Sequence, residues 1–166
     1  MSKTMIAAQL YTLREMLKTP RDIASTLKEV KKIGYDAVQL SALGPIDTGE
    51  LKKILDGEGL EACATHISME RLHNEIEKVI EEHKILNCKY TACPYLPDEY
   101  HHEAGFKKAA GELTAIGKKL KEAGIILTYH NHAFEFEKFD SHIGLEIIYD
   151  ESDAEYLQGE IDTYWV

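Results

Sequence analysis

Hydrophobic residues recur along the chain at two alternating spacings, which predict strands and helices in turn. Four short apolar runs follow a helix-ending glycine or asparagine, as in Gly124 before Ile125–Tyr129. Between these runs, apolar residues recur every three or four positions, the spacing of an amphipathic helix. Strands are predicted at 5–11, 35–40, 59–66, 87–93, 124–130 and 159–166, and helices at 20–33, 47–58, 69–86 and 103–123.

The first helix shows how clearly its ends are marked. Thr19 is a capping residue, Pro20 suits the first helical position and Asp22 places an acid in the first turn. Gly34 is suited to the left-handed conformation that ends many helices. The region after the fifth strand is less regular: 134–142 is predicted as an excursion, and 144–149 as a short helix or strand.

Alternation of strand and helix at this period predicts a parallel sheet in an α/β fold. Six consecutive units favour a TIM-type (β/α) barrel, although a closed barrel has eight units and about 250 residues. We therefore predict one domain over residues 1–166, a partial barrel of about six of the eight units. The alternative is an open doubly wound sheet. That fold usually has a glycine-rich loop after its first strand, and Tyr11-Thr12-Leu13-Arg14 is unlike one.

Composition and charge limit the classes of partner that the chain is expected to bind. The chain is 44% hydrophobic and carries a formal charge of −10, which argues against binding a phosphate backbone and predicts no nucleic-acid partner. No apolar run approaches the roughly 18 residues of a membrane span, and the first residues lack a secretory signal, so no membrane partner and a cytoplasmic location are expected. The three cysteines form no metal-binding pair and are predicted to be buried thiols.

The candidate chemistry lies where the fifth strand ends. Alternation places Thr128, His130 and His132 on one face, with Asn131 between the two imidazoles and Glu135 shortly after. Strand ends are where α/β folds place ligands and catalytic groups. Two imidazoles on one face suit a divalent ion such as Zn²⁺ or Mn²⁺. They could equally contact sugar hydroxyls or orient a ligand, and Asn131 suits hydroxyl recognition.

Several segments, taken in order, resemble the sugar phosphate isomerase/epimerase family, the xylose isomerase-like TIM barrels. The resemblance spans the chain and rests on 9–14, 33–40, His66, 129–136 and 160–166. It implies a barrel enzyme that acts on a small-molecule sugar or sugar phosphate with a divalent metal (Mn²⁺, Zn²⁺, Mg²⁺ or Co²⁺).

The resemblance also implies a ligand set. Family members commonly hold the ion with a Glu after the fifth strand, an Asp at the sixth, a His at the seventh and a Glu at the eighth. Asp162 matches the Asp, whereas Thr128 stands at the position of the Glu, which leaves His130, His132 or Glu135 to serve. The last two ligands would lie beyond Val166, so the ion could be absent from this chain. Our predicted metal ligands are Asp162, His132 and Glu135.

Other residues are assigned by their position at predicted strand ends. Glu135 and His66 are the predicted catalytic residues, with a structural histidine as the alternative for His66. Four residues are predicted to contact substrate: Asn131, His130, Gln9 and Trp165. Gln9 and Gln39 could instead hydrogen-bond each other, and Trp165 could belong to the core. The histidines at 73, 83, 101 and 102 are predicted to be exposed.

Two functions follow from these assignments. The first is isomerisation or epimerisation of a keto-sugar, in which a carboxylate moves a proton beside the carbonyl through an enediolate. Dehydration of a keto-polyol would begin in the same way. The alternative is a catalytically incomplete, sugar-binding barrel fragment that self-associates, because stopping at the sixth strand would leave sheet edges unpaired. A homo-oligomer is therefore expected.

Overall fold

Strands and helices alternate along the chain, as the hydrophobic spacing predicts. The structure, a computed structural model, describes residues 6–166. The strands and α-helices follow in this order: β1 (Ala7–Gln9), α1 (Pro20–Ile33), β2 (Ala37–Leu40), α2 (Thr48–Glu58), β3 (Glu61–His66), α3 (Met69–Asn74), α4 (Ile76–Leu86), β4 (Tyr90–Cys93), α5 (Glu103–Glu122), β5 (Ile126–His130), β6 (Lys138–Phe139), β7 (His142–Ile143), α6 (Gly144–Asp150) and β8 (Leu157–Glu160). Short 3₁₀ helices cover Leu10–Met16, Asp98–Tyr100 and Phe134–Phe136.

Two predicted strands end earlier than expected. β1 ends at Gln9 because the Gln9 side chain accepts a hydrogen bond from the Tyr11 backbone N–H and starts a 3₁₀ helix. Met5, where the strand was predicted to begin, lies outside the described residues. The sixth predicted strand, 159–166, is observed as Leu157–Glu160, so Asp162 and Trp165 follow the strand and do not belong to it.

Helical segments also differ in detail. The helix predicted at 69–86 is two helices, and α3 ends where the Glu75 N–H binds the Arg71 carbonyl. The excursion at 134–142 contains a 3₁₀ helix and runs into the antiparallel pair β6–β7. Residues 144–149 fall within a helix, α6.

The chain packs as two compact units, each with its own hydrophobic core. The first contains the described residues up to His66 together with Glu81–Lys89, and the second contains Ile67–Ile80 and Tyr90–Val166. The single domain predicted from the sequence stays a prediction.

The first unit is built on the parallel strands β1, β2 and β3. Ala7 pairs with Ala37 and Gln9 with Gln39, so the two glutamines lie side by side. The core below them contains Leu10, Leu27, Val38, Leu55 and Leu86, among other buried residues.

His83 belongs to this unit and corrects one expectation. It is 1% exposed, and its Nε2 lies 2.9 Å from the Thr65 hydroxyl oxygen. The prediction of an exposed histidine was wrong because Thr65, on β3, supplies a buried partner that the helix pattern does not reveal.

The second unit is built on the parallel strands β4, β5 and β8. Cys93 pairs with Tyr129 and His130 pairs with Glu160, so β5 and β8 end at the same level. Helix α5 packs closely against the segment before β8, where a Cβ on Gly117 would lie 2.0 Å from the Tyr156 carbonyl oxygen. The position of β8 therefore depends on the absence of a side chain at 117.

Cys88 and Cys93 are buried as predicted, whereas Cys63 is half-buried. Burial raises the pKa of the Cys93 thiol to about 12, so this thiol is protonated at neutral pH. No helix in the described part of the chain is long and apolar enough to cross a membrane.

The close packing at Gly117 can be tested with a matched pair of substitutions in α5. Gly117→Ala should lower the free energy of unfolding by about 1–3 kcal/mol, because a methyl group there overlaps the Tyr156 carbonyl. Gly111→Ala in the same helix meets nothing within 4 Å and should be neutral or stabilising by up to about 1 kcal/mol. Urea unfolding measures both. Equal effects at the two positions would contradict this account of the packing.

Candidate functional site

The last residues of β5 and β8 bring an imidazole and a carboxylate together in the second unit. His130 and Glu160 are paired in the parallel register, which directs their side chains to the same face. His130 Nδ1 lies 3.2 Å from Glu160 Oε1. Both side chains are mostly buried, so their mutual attraction is screened less by solvent than that of a surface pair.

A second carboxylate lies on the other side of the same imidazole. Asp162 Oδ2 is 3.7 Å from His130 Nε2, beyond hydrogen-bond distance but close enough for an electrostatic attraction. Asp162 Oδ1 accepts a hydrogen bond of 3.0 Å from the Tyr164 N–H, which fixes the orientation of the carboxylate. The structure therefore brings together two predicted site residues, His130 and Asp162, and adds Glu160.

Asn131 holds Asp162 in this position. Its side-chain amide donates to the Asp162 carbonyl oxygen at 3.1 Å and accepts from the Asp162 N–H at 2.9 Å. Asn131 is 0% exposed. One N–H and the side-chain oxygen of Asn131 thus engage the Asp162 backbone and position this residue, and the substrate contact predicted for Asn131 stays a prediction.

Glu135 is enclosed beneath the turn that follows β5. Its Oε1 accepts a hydrogen bond of 2.6 Å from the Tyr129 hydroxyl, and its Oε2 accepts one of 2.7 Å from the His132 N–H. Burial raises the pKa of the Glu135 carboxyl, although these two hydrogen bonds oppose the shift. Burial and the neighbouring carboxylate also raise the pKa of Tyr129. Both Glu135 oxygens thus support the turn, and the roles of metal ligand and general base predicted for Glu135 stay predictions.

Aromatic rings surround His132. Its ring centroid lies 5.5 Å from those of Tyr95 and Trp165, and 4.9 Å from that of His130. Trp165 is 38% exposed and Tyr95 is 44% exposed, so both present ring surface beside His132. Exposed aromatic faces can pack against the apolar face of a sugar.

His101 corrects a second expectation of exposure. Its ring stacks on Phe134 at a centroid distance of 3.6 Å, and its Nε2 lies 2.8 Å from the Leu96 carbonyl oxygen. His102 is exposed as predicted and caps α5 by accepting a hydrogen bond from the Gly105 N–H.

Two predicted site residues belong to the first unit. The Gln9 side-chain N–H donates to Gln39 Oε1 at 2.8 Å, so the two side-chain amides bond to each other, which is the alternative that the sequence leaves open for them. His66 ends β3, and its Nδ1 lies 3.1 Å from the Ser41 hydroxyl oxygen. The roles predicted for Gln9 in substrate binding and for His66 in catalysis stay predictions.

The first unit also contains a cavity of about 420 Å³ at the amino ends of its strands, lined by Asp36, Lys52, Asp56 and Glu61, among others. Lys31 forms an ion pair with Asp36, and Lys52 forms one with Asp56. In parallel barrels the amino ends of the strands contribute to stability, while chemistry lies at the carboxyl ends. We therefore place the candidate site at β5 and β8.

Glu160 was missed as a site residue. A signal was present: it lies two positions before Asp162, so a strand through both would place them on one face. Tyr95 was missed as well, because a tyrosine in a loop after a strand carries no specific signal.

Comparison with known proteins identifies the fold of the chain. No protein-family model and no curated protein matches the sequence. Among solved structures, a sugar phosphate isomerase/epimerase from Parabacteroides distasonis is similar over 99% of this chain and 68% of its own, with 24% identity and a TM-score of 0.80. The fold is that of the xylose isomerase-like TIM barrels. This confirms the predicted fold class, a partial barrel, here with six parallel strands among the described residues.

Two further structures are similar to most of the chain. The D-psicose 3-epimerase of Clostridium cellulolyticum, solved with D-tagatose, shows 13% identity and a TM-score of 0.64 over 96% of this chain and 63% of its own. A xylose isomerase-like protein from Mycobacterium smegmatis, solved with magnesium, shows 14% identity and a TM-score of 0.65 over 95% and 63%. At these identities the likeness shows the fold alone.

The Asn131 contact generates a stability prediction. Asn131→Ala should lower the free energy of unfolding by about 2 kcal/mol, because two hydrogen bonds to the Asp162 backbone are lost. Asn74→Ala, at the exposed end of α3, should change it by less than about 0.5 kcal/mol. Denaturant unfolding measures both, and an Asn131→Ala protein as stable as the wild type would show that the contact does not hold the turn.

The raised pKa of Glu135 generates a pH prediction. An acid whose pKa is higher in the folded state stabilises the fold below its unfolded pKa, and this contribution is lost as the pH rises through the folded pKa. Glu135→Gln cannot ionise. As the pH rises above about 4, the ordinary pKa of a glutamate, the wild type should therefore lose stability relative to this variant.

Unfolding in urea across this pH range measures the difference, with Glu137→Gln as the exposed control. A difference between wild type and Glu135→Gln that stays constant with pH would contradict the raised pKa.

Proposed function

We propose that this protein is a sugar isomerase or epimerase that moves a proton beside the carbonyl of a keto-sugar through an enediolate. One observation carries the proposal: the His130 imidazole lies between the Glu160 and Asp162 carboxylates at the carboxyl ends of β5 and β8. Carboxylates and imidazoles are the groups that most often transfer protons in enzymes. The carboxyl ends of the strands are where barrels of this fold place their chemistry.

The comparisons support the reaction class by analogy of fold. The neighbours include a sugar phosphate isomerase/epimerase and a D-psicose 3-epimerase. One fold can host many reactions, so the assignment of this reaction depends on the side chains of the site.

The donor set is compatible with a divalent ion. His130 Nδ1 and Glu160 Oε1 are 3.2 Å apart, the separation expected for two ligands of one ion with bonds of about 2.1 Å. An imidazole and a carboxylate suit Mn²⁺, Zn²⁺ or Co²⁺, with Mg²⁺ less favoured. We assign these two residues as ligands in preference to His132 and Glu135, because His132 Nδ1 is buried and both Glu135 oxygens accept hydrogen bonds. When bound, such an ion would polarise the sugar carbonyl.

The remaining residues then have separate tasks. Asp162 Oδ2 would accept the proton, since Oδ1 is held by the Tyr164 N–H and the backbone is held by Asn131. Trp165 and His132 would pack against the sugar ring and exclude water. Glu135 would position the turn that carries His132. Loss of a hydroxyl after the same proton transfer would give a dehydratase, so the products identify the reaction.

Proton exchange tests the proposal directly. With ketohexoses in D₂O and added Mn²⁺, the wild type should exchange the proton at the carbon beside the carbonyl, as followed by NMR. Asp162→Asn should reduce the rate by at least about 100-fold, because the proton acceptor is lost. His130→Ala should reduce both the rate and the content of bound metal.

Asp140→Asn is the matched control, since it removes the same charge from an exposed turn where asparagine tolerates the positive φ of 53°. Full activity in Asp162→Asn, with unchanged folding, would refute the assignment of the proton acceptor. His66→Ala in the same assay tests the catalytic role predicted from the sequence.

The sugar-binding alternative and the expected homo-oligomer stay predictions. A protein that binds ketohexoses without exchanging their protons would favour the alternative. Light scattering measures the oligomeric state.

A further inference from the structure

The chain segments that follow the strands of the second unit are acidic. Segments 94–106, 131–137 and 161–166, which follow β4, β5 and β8, contain no lysine or arginine. They contain six acidic residues: Asp98, Glu99, Glu103, Glu135, Glu137 and Asp162. A seventh, Glu160, is the last residue of β8. Lys107, the first lysine of α5, forms an ion pair with Glu103, with 2.7 Å between Nζ and Oε1. This side of the site therefore offers negative potential to an incoming ligand.

The His130 imidazole does not make the electrostatic potential of the site positive. His130 faces Glu160 through Nδ1 and Asp162 through Nε2, so even a protonated ring would be outweighed by two carboxylates. A divalent ion at this position would balance these two carboxylates without leaving a net positive charge. The site would therefore have no excess positive charge to attract an anionic group of a substrate.

Backbone amides are the other common anion receptors, and four of those in these segments donate to acceptors of the chain itself. After β5, the His132 N–H donates to Glu135 Oε2. After β8, the Asp162 N–H donates to Asn131 and the Tyr164 N–H donates to Asp162. At the start of α5, the Gly105 N–H donates to His102 Nδ1. A phosphate usually needs such amides at helix or loop starts, together with arginine or lysine.

We propose that the site selects unphosphorylated keto-sugars over their phosphate esters. This inference rests on the proposed function and adds the class of substrate. A neutral sugar would use its hydroxyl groups to donate to Glu160 and Asp162 and its apolar face to contact Trp165. A phosphate ester carries close to two negative charges at neutral pH and would be repelled by the exposed acidic residues of the surrounding segments, among them Asp98 and Glu137, which a bound ion does not neutralise.

The test compares D-tagatose and D-fructose with their 6-phosphates. Calorimetric titration in Mn²⁺ buffer at low ionic strength should show free sugars binding about tenfold or more tightly than the esters. This ratio should shrink as salt is added, because screening weakens repulsion between charges that are several ångströms apart. Proton exchange in D₂O should follow the same preference.

The outcomes separate the two proposals. Equal or tighter binding of the phosphates, with proton exchange still observed, would overturn the substrate class and leave the isomerase or epimerase standing. Absence of both binding and exchange with every sugar would overturn both.

A charge insertion tests the cause of the preference. Thr163→Lys places a cation beside Asp162 and should bring the two affinities closer together by several-fold. Ser141→Lys adds the same charge at the exposed turn of the β6–β7 hairpin and should change the ratio little. An unchanged ratio in Thr163→Lys would refute charge at the strand ends as the cause.

Discussion

The reciprocal hydrogen bonds between the Asn131 side chain and the Asp162 backbone are the contact on which the candidate site depends. The parallel register alone places His130 opposite Glu160, because both residues lie inside paired strands. Asp162 lies beyond the end of β8, where no strand pairing fixes it. A primary amide carries a donor and an acceptor side by side, so it can bind the N–H and the C=O of one residue at once. Asn131 thereby extends the order of the sheet into the turn that bears the second carboxylate.

A buried carboxylate supports the other side of the site in a similar way. Ionised carboxylates are costly to bury unless hydrogen bonds compensate, and Glu135 receives one from Tyr129 and one from the His132 backbone. These bonds join the interior of β5 to the turn that follows it. Since His132 contacts Tyr95 and Trp165, the orientation of this carboxylate also determines where the aromatic surface lies. The conformation of the turn and the shape of the site are therefore coupled through a group that solvent does not reach.

Local patterns predicted the elements, and contacts between distant residues determined what the patterns missed. The Thr19 cap and the Gly34 end of α1 are signals within one helix, and the structure confirms both. The end of β8 could not be predicted, because it depends on a bond between Asn131 and Asp162, 31 positions apart. The burial of His83 likewise depends on Thr65. Glu135 and Glu137 look alike in sequence, and the hydrogen bonds from the Tyr129 hydroxyl and the His132 N–H distinguish the buried carboxylate from the exposed one.

Charge at the strand ends is the property that links the sequence most directly to the choice of ligand. The fold fixes which segments meet at the carboxyl ends of β4, β5 and β8, and it does so through the apolar core beneath them. The exposed charged residues of those segments, such as Asp98 and Glu137, do not belong to that core, so the charge can vary without changing the fold. A barrel of this type can therefore recognise an anionic ester with lysine and arginine, or a neutral polyol with carboxylates. In this chain, Glu160 and Asp162 present hydrogen-bond acceptors and Trp165 presents an aromatic face, a combination that suits the neutral sugar we propose as substrate.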